Sequence, residues 1–244
     1  MSKTAIIIPA RFNSSRFPGK SLELIDEFNV IQSVYLRAQK VRNIDEVIVA
    51  TDDIRILKSI EDVRGRVILT DKTHDNGTSR IAEVAEELNG FHFIINLQGD
   101  EPFVLSEDIE ILIAELKNND SQIVTLMKEC SSEELFNPNV VKVKAAENGK
   151  ALSFCRSYNA DEIVDDSKKY KHLGIYGFNR EVLLDLVRLE PTDSERIEKL
   201  EQLRWLDHGY AIQLIETRNE SIGIDVPDDL IKARAFSKSL SQLH

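Results

Sequence analysis

"TAIIIPARFNSSRFPGKSL", residues 4–22, is the stretch that decides the fold class of this chain. Its first six residues form a short apolar run, which is typical of a strand buried on both faces of a parallel sheet. The loop that follows holds three cations, Arg11, Arg16 and Lys20, among small hydroxyl-bearing residues and a glycine. Ligands of open parallel sheets bind outside the carboxyl ends of the strands. The loop is therefore a candidate phosphate-binding site, because amides and cations suit a triphosphate.

The same loop nearly spells the Walker phosphate-binding sequence, G-x-x-x-x-G-K-[ST]. Gly19, Lys20 and Ser21 match the end of that sequence. Ser14, however, stands where its first glycine should be, and Pro18 removes a backbone amide donor before Gly19. The residues after the loop also lack the helix pattern that should begin at once. A P-loop NTPase is therefore a minority hypothesis, and a solvated basic loop is the plainest alternative.

Strand-like and helix-like segments alternate through the first half of the chain. Apolar runs predict the strands, and apolar residues spaced three and four apart predict the helices. The predicted strands are 4–9, 46–51, 66–70 and 93–98, and the predicted helices are 30–41, 52–63, 78–88 and 106–119. This order predicts an α/β fold whose mainly parallel sheet is covered by helices on both faces.

The alternation of predicted strands and helices does not continue in the second half. Few helices separate the strand-like runs 122–130, 139–145, 151–157 and 172–180. This spacing predicts an antiparallel extension of the sheet. The polar segment 157–171 predicts a surface loop, and 193–209 predicts one helix that ends at a glycine. A strand at 211–217 and a helix beginning near Pro227 follow.

Composition narrows the class of function. The net charge of -11 disfavours nucleic-acid binding and anionic membranes, because the long-range field of the chain repels both. The two cysteines, Cys130 and Cys155, form no C-x-x-C pair, so a reducing cytoplasm is the expected location. No stretch approaches the length of a membrane span, and the five histidines lack zinc-site spacing. We therefore expect no membrane insertion and no zinc site.

Two acidic residues follow predicted strands at positions that suit a metal. Asp100 follows a glycine in NLQGDEP (96–102), and Asp225 precedes a proline in IGIDVPDDL (222–230). Each has a plain alternative, a turn for Asp100 and a helix cap for Asp225. Two such carboxylates could hold Mg²⁺ against a nucleotide if the fold brings them together. No nucleophile elbow or activated cysteine is apparent, so direct displacement at phosphorus fits these residue types.

Eight blocks of sequence resemble the 3-deoxy-manno-octulosonate cytidylyltransferases, or CMP-Kdo synthetases. In chain order they are IIIPARFNSSRFPGKSL, VATDD, THDNGTSRIAEV, NLQGDEP, NPNVVKVKAAENGKALSFCRS, HLGIYGF, IEKLEQLRWLDHG and GIDVPDDL. The resemblance runs from Ile6 to Leu230, nearly the whole chain. It implies a Rossmann-like nucleotidyltransferase fold, usually dimeric. It also implies that CMP is transferred from CTP to Kdo with release of pyrophosphate, for lipopolysaccharide biosynthesis.

The resemblance also implies a set of nucleotide and metal residues. The catalytic residues would be Arg11, Lys20 and Asp100. The nucleotide-binding residues would be Arg11, Arg16, Lys20, Arg80 and Gln98. The Mg²⁺ ligands would be Asp100 and Asp225.

The resemblance implies that a second set of residues binds the sugar acid. Its members are Arg156, His172, Tyr176, Glu201 and Gln202. Glu201 and Gln202 are expected mid-helix, as a rigid platform. From the residues alone, His172 and Tyr176 would equally pack the core, and Glu201 would belong to a solvated helix face. Arg156 is more informative, because an arginine in an apolar strand usually needs an anionic partner, which a sugar carboxylate would supply.

The resemblance divides one domain, 1–244, into a nucleotide-binding half (1–120), a sugar-binding and dimerisation elaboration (121–220), and a metal aspartate with a C-terminal helix (221–244). The chain departs from the family pattern S-G-T-D-R at residues 76–80. That departure leaves 8-amino-Kdo or another sugar acid open as the substrate. A non-catalytic sugar-nucleotide sensor is a third class of function.

Overall fold

The computed structural model describes residues 2–14, 16–118, 121–158, 168–219 and 221–241. Within these residues nine strands join one sheet. They are β1 (Lys3–Ala10), β2 (Glu46–Thr51), β3 (Arg66–Leu69), β4 (Phe91–Asn96), β5 (Ile123–Glu129), β6 (Lys142–Ala145), β7 (Ala151–Cys155), β8 (Tyr170–Asn179) and β9 (Ile212–Glu216).

The described helices alternate with these strands in the first half, and those between β5 and β9 are short. They are α1 (Val30–Ala38), α2 (Ile54–Asp62), α3 (Gly77–Glu87), α4 (Ser106–Asn118), α5 (Ser132–Phe136), α6 (Arg180–Leu186), α7 (Asp193–Glu198), α8 (Glu201–Asp207) and α9 (Pro227–Ser241). A single turn of 3₁₀ helix spans Lys20–Leu22.

The sheet has the order β3-β2-β1-β4-β8-β5-β9, and β6 adds to β8 while β7 adds to β6. Strands β1 to β4 are parallel to one another where they pair. Strand β8 runs antiparallel to both β4 and β5, whereas β5 and β9 are parallel. Along this seven-strand path β8 alone runs in the opposite direction among the described residues. The antiparallel extension predicted for the second half is therefore built around β8.

Alternate residues of β1 face two separate apolar cores. Ala5 and Ile7 pack on the face covered by α3 and α6, and Ile6 and Ile8 pack on the face covered by α1, α2 and α4. All four side chains are fully buried. This explains the continuous apolar run, since a strand between two helical layers has no polar face.

Polar side chains fix where the first helices begin. Asn29 and Gln32 form a reciprocal capping box at the start of α1. Asp53 caps α2 and Asn76 caps α3, each accepting a backbone amide with its side chain. The helix predicted over 52–63 thus begins directly after Asp53.

The single helix predicted over 193–209 is wrong. The chain breaks it into α7 and α8 at Lys199, which adopts a left-handed conformation (φ 55°, ψ 47°), and at Leu200, which is extended. Leu200 is thereby buried in the core. Glu201 consequently begins α8 and does not lie mid-helix, and Gln202 is its second residue. Burial of an apolar side chain outweighs the local helix pattern here.

The polar loop predicted over 157–171 is described in part. Residues 159–167 lie outside the described residues, and β8 already begins at Tyr170. Among the described residues, no helix has both the length and the apolar character needed to cross a membrane. The predicted division of the domain at residues 120 and 220 stays a prediction.

Candidate active site

The loop after β1 closes on the carbonyl of Phe12. That oxygen accepts hydrogen bonds from the amides of Ser14 at 2.9 Å and Gly19 at 2.8 Å. Gly19 has a φ of 80°, and a Cβ there would lie 3.1 Å from the Phe12 ring, so glycine suits this turn best. Only the short turn Lys20–Leu22 follows, and α1 begins at Val30. No α-helix, as a Walker loop requires, begins within the described residues 16–29.

Lys20 joins the two carboxylates that the sequence predicted as metal ligands. Its ammonium donates to Asp100 Oδ2 at 2.6 Å, to Asp225 Oδ1 at 3.1 Å and to the carbonyl of Ile224 at 2.6 Å. Arg16 reaches the same Asp225 oxygen at 3.0 Å. The fold therefore brings Asp225 beside Asp100, which was the condition for treating it as more than a helix cap.

Gly99 allows the loop after β4 to lie against the end of β1. A Cβ at Gly99 would be 2.7 Å from the carbonyl oxygen of Pro9, closer than such atoms approach. Asp100 follows Gly99 in the chain. Gln98, which precedes Gly99, donates to the carbonyl of Gly174 at 3.2 Å. The missing side chain thus sets how near Asp100 comes to the basic loop.

The segment after β9 is bonded to the loop after β4. The amide of Ile224 donates to the carbonyl of Asp100 at 2.9 Å. Ser221 Oγ donates to Glu101 Oε2 at 2.6 Å. Burial raises the pKa of Glu101 to about 7, and the nearby Asp100 and Asp225 carboxylates add to that rise against the opposing effects of Ser221 and Lys20.

These loops enclose a cavity of about 200 Å³ at the carboxyl ends of β1 and β4. Every residue predicted to contact nucleotide or metal lines it. They are Arg11, Arg16, Lys20, Arg80, Gln98, Asp100 and Asp225. The guanidinium of Arg11 is exposed and makes no hydrogen bond or ion pair within the described part of the chain. It is therefore available to an anionic ligand.

Arg80 differs from the other cations because it is already engaged. Its side chain is 4% exposed, and its guanidinium lies 3.2 Å from Asp52. It also donates to Thr70 Oγ1 and to the carbonyl of Asp71. Arg80 thus ties the ends of β2 and β3 to α3 while forming part of the cavity wall.

Glu201 connects the predicted sugar residues to the cavity wall. Thr78 Oγ1 donates to its Oε2 at 2.7 Å, and Asn76 Nδ2 donates to its Oε1 at 3.1 Å. Asn76 lines the cavity and also caps α3. Burial raises the pKa of Glu201. Its carboxylate is held by polar partners, which excludes the solvated helix face that the local charge pattern favoured.

His172 and Tyr176 lie in an aromatic cluster on β8. His172 Nε2 lies 3.0 Å from Thr125 Oγ1, and burial lowers the histidine pKa to about 3. The Tyr176 ring contacts the tilted ring of His172 and, edge to face, the ring of Trp205, with ring centroids 5.2 and 5.1 Å away. The Tyr176 hydroxyl and the Trp205 indole nitrogen are buried and have no hydrogen-bond partner among the described residues.

Among the described residues, the guanidinium of Arg156 binds backbone carbonyls and no acidic side chain. Its guanidinium donates to the carbonyls of Glu198 at 3.0 Å, Pro138 at 3.4 Å and Lys199 at 3.5 Å. The carbonyls of Glu198 and Lys199 lie where α7 ends and the chain turns into α8. Arg156 therefore satisfies carbonyl groups at the end of α7. Its contact with a sugar carboxylate stays a prediction.

The sequence profile of the cytidylyltransferase family matches residues 5–217. The chain is 44% identical over 242 residues to the 3-deoxy-manno-octulosonate cytidylyltransferase of Thermodesulfovibrio yellowstonii, which covers 93% of this chain and 95% of that protein. It is also 44% identical over 227 residues to the enzyme of the same name from Fusobacterium nucleatum, with 92% of each chain covered. This chain belongs to the 3-deoxy-manno-octulosonate cytidylyltransferase family.

A solved structure of this family supports the fold assignment. The structure of CMP:2-keto-3-deoxy-manno-octonic acid synthetase complexed with CTP superposes with a TM-score of 0.91 at 37% identity. The match covers 98% of this chain and 99% of that one. The predicted Rossmann-like nucleotidyltransferase fold is confirmed.

Sequence reasoning missed several residues that this cytidylyltransferase places at the site. His74 lines the cavity and contacts Glu83, which lies on α3. Asn76 was noted only as a departure from the family pattern, although an asparagine three residues before Ser79 fits a helix cap. In NLQGDEP the sequence predicts a role for Asp100 and none for Glu101. No sequence pattern pairs Glu101 with Ser221, because 120 residues separate them.

The two aspartates fit a magnesium ion as the family resemblance implies. Both present hard carboxylate oxygens, and their side chains are 32% and 49% exposed, so the oxygens can be reached from the cavity. No group of three or more metal-ligating side chains occurs in the parts of the chain that the structure describes. Mg²⁺ is commonly held by one or two carboxylates together with phosphates and water. Asp100 and Asp225 match that number.

Proposed function

We propose that this chain transfers CMP from CTP to the anomeric hydroxyl of Kdo, giving CMP-Kdo and pyrophosphate. The observation that carries the proposal is the contact of Lys20 with both Asp100 and Asp225 inside the cavity. A cation and two carboxylates from three distant parts of the chain meet where a parallel sheet binds its ligands. The identity of at least 44% to two named cytidylyltransferases supports the choice of reaction.

The cations would bind the triphosphate of CTP. Arg11 is exposed and without an ionic partner among the described residues, Arg16 is partly exposed, and the Lys20 ammonium faces the cavity. Together they supply positive charge to a chain whose net charge is -11. This local concentration would offset the repulsion that the rest of the chain exerts on a nucleotide.

Asp100 and Asp225 would hold Mg²⁺. The bound ion would lower the pKa of the attacking hydroxyl and stabilise negative charge on the phosphates. Without the ion, Lys20 and Arg16 neutralise the two carboxylates and keep them close together. The Lys20 ammonium would move aside toward the phosphates when the ion binds between the two carboxylates.

The reaction would be a direct displacement at the α-phosphorus. The anomeric oxygen of the sugar forms a bond to that phosphorus, the bond to the bridging oxygen of pyrophosphate breaks, and the hydroxyl proton is released. Lys20 and Arg11 would stabilise the charge on the phosphoryl oxygens. The chain's contribution would be alignment and electrostatic stabilisation, which suffice for phosphoryl and nucleotidyl transfer.

The sugar acid would bind next to the cavity, toward β8 and α8, although no described residue of these two elements lines the cavity itself. Glu201 reaches the cavity wall through Asn76, and Tyr176 offers a hydroxyl without a protein partner among the described residues. Arg156, His172 and Gln202 would complete this side. Kdo is the proposed substrate, and 8-amino-Kdo or another sugar acid is the alternative.

We also propose a homodimer in the cytoplasm. Phe136, Leu152 and Ile197 are large apolar side chains that are exposed in the second half of the chain, as expected for a surface that a partner copy covers. Light scattering after gel filtration would give the mass. Both cysteines are free, as in proteins of a reducing compartment.

A pyrophosphate-release assay with four NTPs and a panel of sugar acids tests the proposed reaction. We expect turnover with CTP and Kdo. Turnover with CTP and a different sugar acid would replace the substrate but keep the reaction. No turnover with CTP and any eight- or nine-carbon sugar acid would contradict the proposal. Release of NDP without sugar would instead support an NTPase, and binding without any reaction would support a sensor.

A further inference from the structure

The segment that delivers Asp225 to the cavity has no helix or strand of its own. It comprises residues 217–219 and 221–225 and is called the strap below. Its first part is fixed by Asp108, whose Oδ1 accepts hydrogen bonds from Thr217 Oγ1 at 2.6 Å and Asn219 Nδ2 at 2.9 Å. Its last part needs another support, because Asp225 must reach Asp100 with the accuracy that a shared ion demands.

Glu101 provides that support from two sides. Its Oε2 accepts the 2.6 Å hydrogen bond from Ser221 Oγ. Its Oε1 lies over Gly223, where a Cβ would come within 2.8 Å of this oxygen. The carboxylate thus bonds to one residue of the strap and packs directly on the backbone of another.

Glu101 follows Asp100 in the chain, so the strap is docked on the same turn that carries the first metal residue. The carbonyl of Asp100 accepts the amide of Ile224 at 2.9 Å, and the next residue of the strap is Asp225. Lys20 binds the carbonyl of Ile224 and both aspartates. The spacing of the two metal carboxylates is therefore set by the dipeptide Asp100-Glu101 acting on the strap.

We propose that Glu101 is a positioning residue that sets the distance between Asp100 and Asp225 by holding Ser221 and Gly223. It acts through the strap and not as a metal ligand or a proton acceptor. The inference rests on the proposed function in one respect, since it takes the two aspartates as the metal site. It adds Glu101, which is not among the expected metal ligands, and gives Glu101 a role in holding the strap.

The variants separate position from charge. Ser221→Ala removes the hydrogen bond and leaves every carboxylate in place. Glu101→Gln keeps an oxygen that can accept from Ser221 but removes the charge, whereas Glu101→Ala removes both. Gly223→Ala pushes the carboxylate from the opposite side. Ser121→Ala is the matched control, because Ser121 Oγ donates to Glu115 Oε1 at 2.8 Å in a similar pair away from the cavity.

Two readouts are needed. Electron paramagnetic resonance of Mn²⁺ in the presence of CTP measures metal binding without turnover. Pyrophosphate release at varied Mg²⁺ measures the half-saturating metal concentration separately from kcat. Thermal melting of each variant shows whether it is folded, and Ser221→Ala keeps the test open if Glu101→Ala does not fold.

We expect Ser221→Ala, Gly223→Ala and Glu101→Ala to weaken Mn²⁺ binding and raise the half-saturating Mg²⁺ concentration by about tenfold. The loss in kcat at saturating Mg²⁺ should be smaller. Glu101→Gln should recover most of the affinity that Glu101→Ala loses, and Ser121→Ala should match the original chain.

Two results would overturn the inference. One is normal metal binding in both Ser221→Ala and Gly223→Ala. The other is equal damage from Glu101→Gln and Glu101→Ala, which would make the charge of Glu101 the active property. If Mn²⁺ binding falls as expected but no sugar acid reacts, the proposed reaction fails and the inference stands. If the reaction proceeds and Ser221→Ala and Gly223→Ala are unaffected, the inference alone fails. If the original chain binds no Mn²⁺, both fail.

Discussion

Lys20 and Asp100, 80 residues apart in the chain, form an ion pair of 2.6 Å in which the lysine side chain is only 9% exposed. The pair joins the basic loop after β1 to the acidic turn after β4. Because Asp225 shares the same ammonium, one cation holds together the two carboxylates that the proposed reaction needs beside the triphosphate. A substitution of Lys20, Asp100 or Asp225 therefore tests both the proposed reaction and the contact between the loops.

Asp100→Asn should abolish turnover while sparing the fold. The amide keeps the size of the side chain but loses the charge that would bind the metal. Pyrophosphate release should fall by about 100-fold or more. Lys20 retains Asp225 and the Ile224 carbonyl as partners, so the free energy of unfolding should change by about 1 kcal/mol or less.

Asp193→Asn is the charge-matched control for this substitution, because Asp193 is exposed on α7. It should leave both activity and stability unchanged. Normal activity in Asp100→Asn would refute the metal assignment. A denaturant melt that showed Asp100→Asn unfolded would show that the carboxylate has a structural role.

Arg80→Met should cost more stability than nucleotide affinity. The guanidinium is almost fully buried and bonded to Asp52 and Thr70, and methionine leaves those groups without a donor. We expect a loss of about 2–3 kcal/mol in the free energy of unfolding. Urea melts measure this loss, and the KM for CTP measures the predicted role of Arg80 in the nucleotide pocket.

Arg188→Met is the control for Arg80→Met, because Arg188 is exposed and lies 3.7 Å from Glu86. Its loss should be about 0.5 kcal/mol or less. If Arg80→Met keeps full stability and only raises the KM for CTP, then its bonds to Asp52 and Thr70 do not stabilise the fold.

The nucleotide half of the fold could be predicted from the sequence because its signals are local. A strand buried on both faces is apolar throughout, as at residues 5–8 of β1, and its following loop carries the ligand contacts. The basic loop and Asp100 each follow such a strand, whereas Asp225 follows a segment without a strand of its own. Parallel topology then brings these loops to one edge of the sheet.

The sugar side could not be predicted in the same way, because its decisive contacts are long-range. The break at Lys199 occurs inside a strong helix pattern, and burial of Leu200 decides it. The partners of Glu201 lie more than 120 residues away, on α3 and just before it. Arg156 binds the carbonyls of Glu198 and Lys199, which lie at a helix end because of that break. None of these contacts leaves a pattern in the sequence.

Burial of His172 should make the stability of the protein depend on pH. Its pKa is about 3 in the folded chain and about 6.5 when unfolded. Between these values the unfolded chain binds a proton that the folded chain does not, so the free energy of unfolding rises with pH. The stabilising contribution of neutral His172 is fully present above about pH 6.5. Lowering the pH from 7.5 to 5 should remove about 2 kcal/mol through this residue.

His172→Gln should remove that contribution, since glutamine does not titrate and can still bond to Thr125. Urea melts at pH 5 and 7.5 should show a pH-dependent loss about 2 kcal/mol smaller in the variant. His92→Gln, which removes an exposed imidazole, is the matched control. An equal pH-dependent loss in His172→Gln and the original chain would mean that His172 is protonated in the folded state.

Tyr176→Phe tests whether the Tyr176 hydroxyl binds the sugar acid or stabilises the fold. The Tyr176 hydroxyl is buried and has no hydrogen-bond partner among the described residues. Its removal should therefore leave the free energy of unfolding unchanged within about 0.5 kcal/mol. If the hydroxyl bonds to the sugar acid, the KM for the sugar should rise about fivefold, equivalent to a hydrogen bond of ~1 kcal/mol, while the KM for CTP stays the same.

Tyr35→Phe is the opposite case and serves as the control. The Tyr35 hydroxyl is buried and accepts hydrogen bonds from Gln39 Nε2 at 3.0 Å and from the amide of Arg66 at 3.1 Å. That variant should lose about 1 kcal/mol of stability without a change in the KM for the sugar. A comparable loss of stability in Tyr176→Phe would mean that its hydroxyl has a partner within the protein. An unchanged KM for the sugar acid would remove Tyr176 from the predicted sugar site.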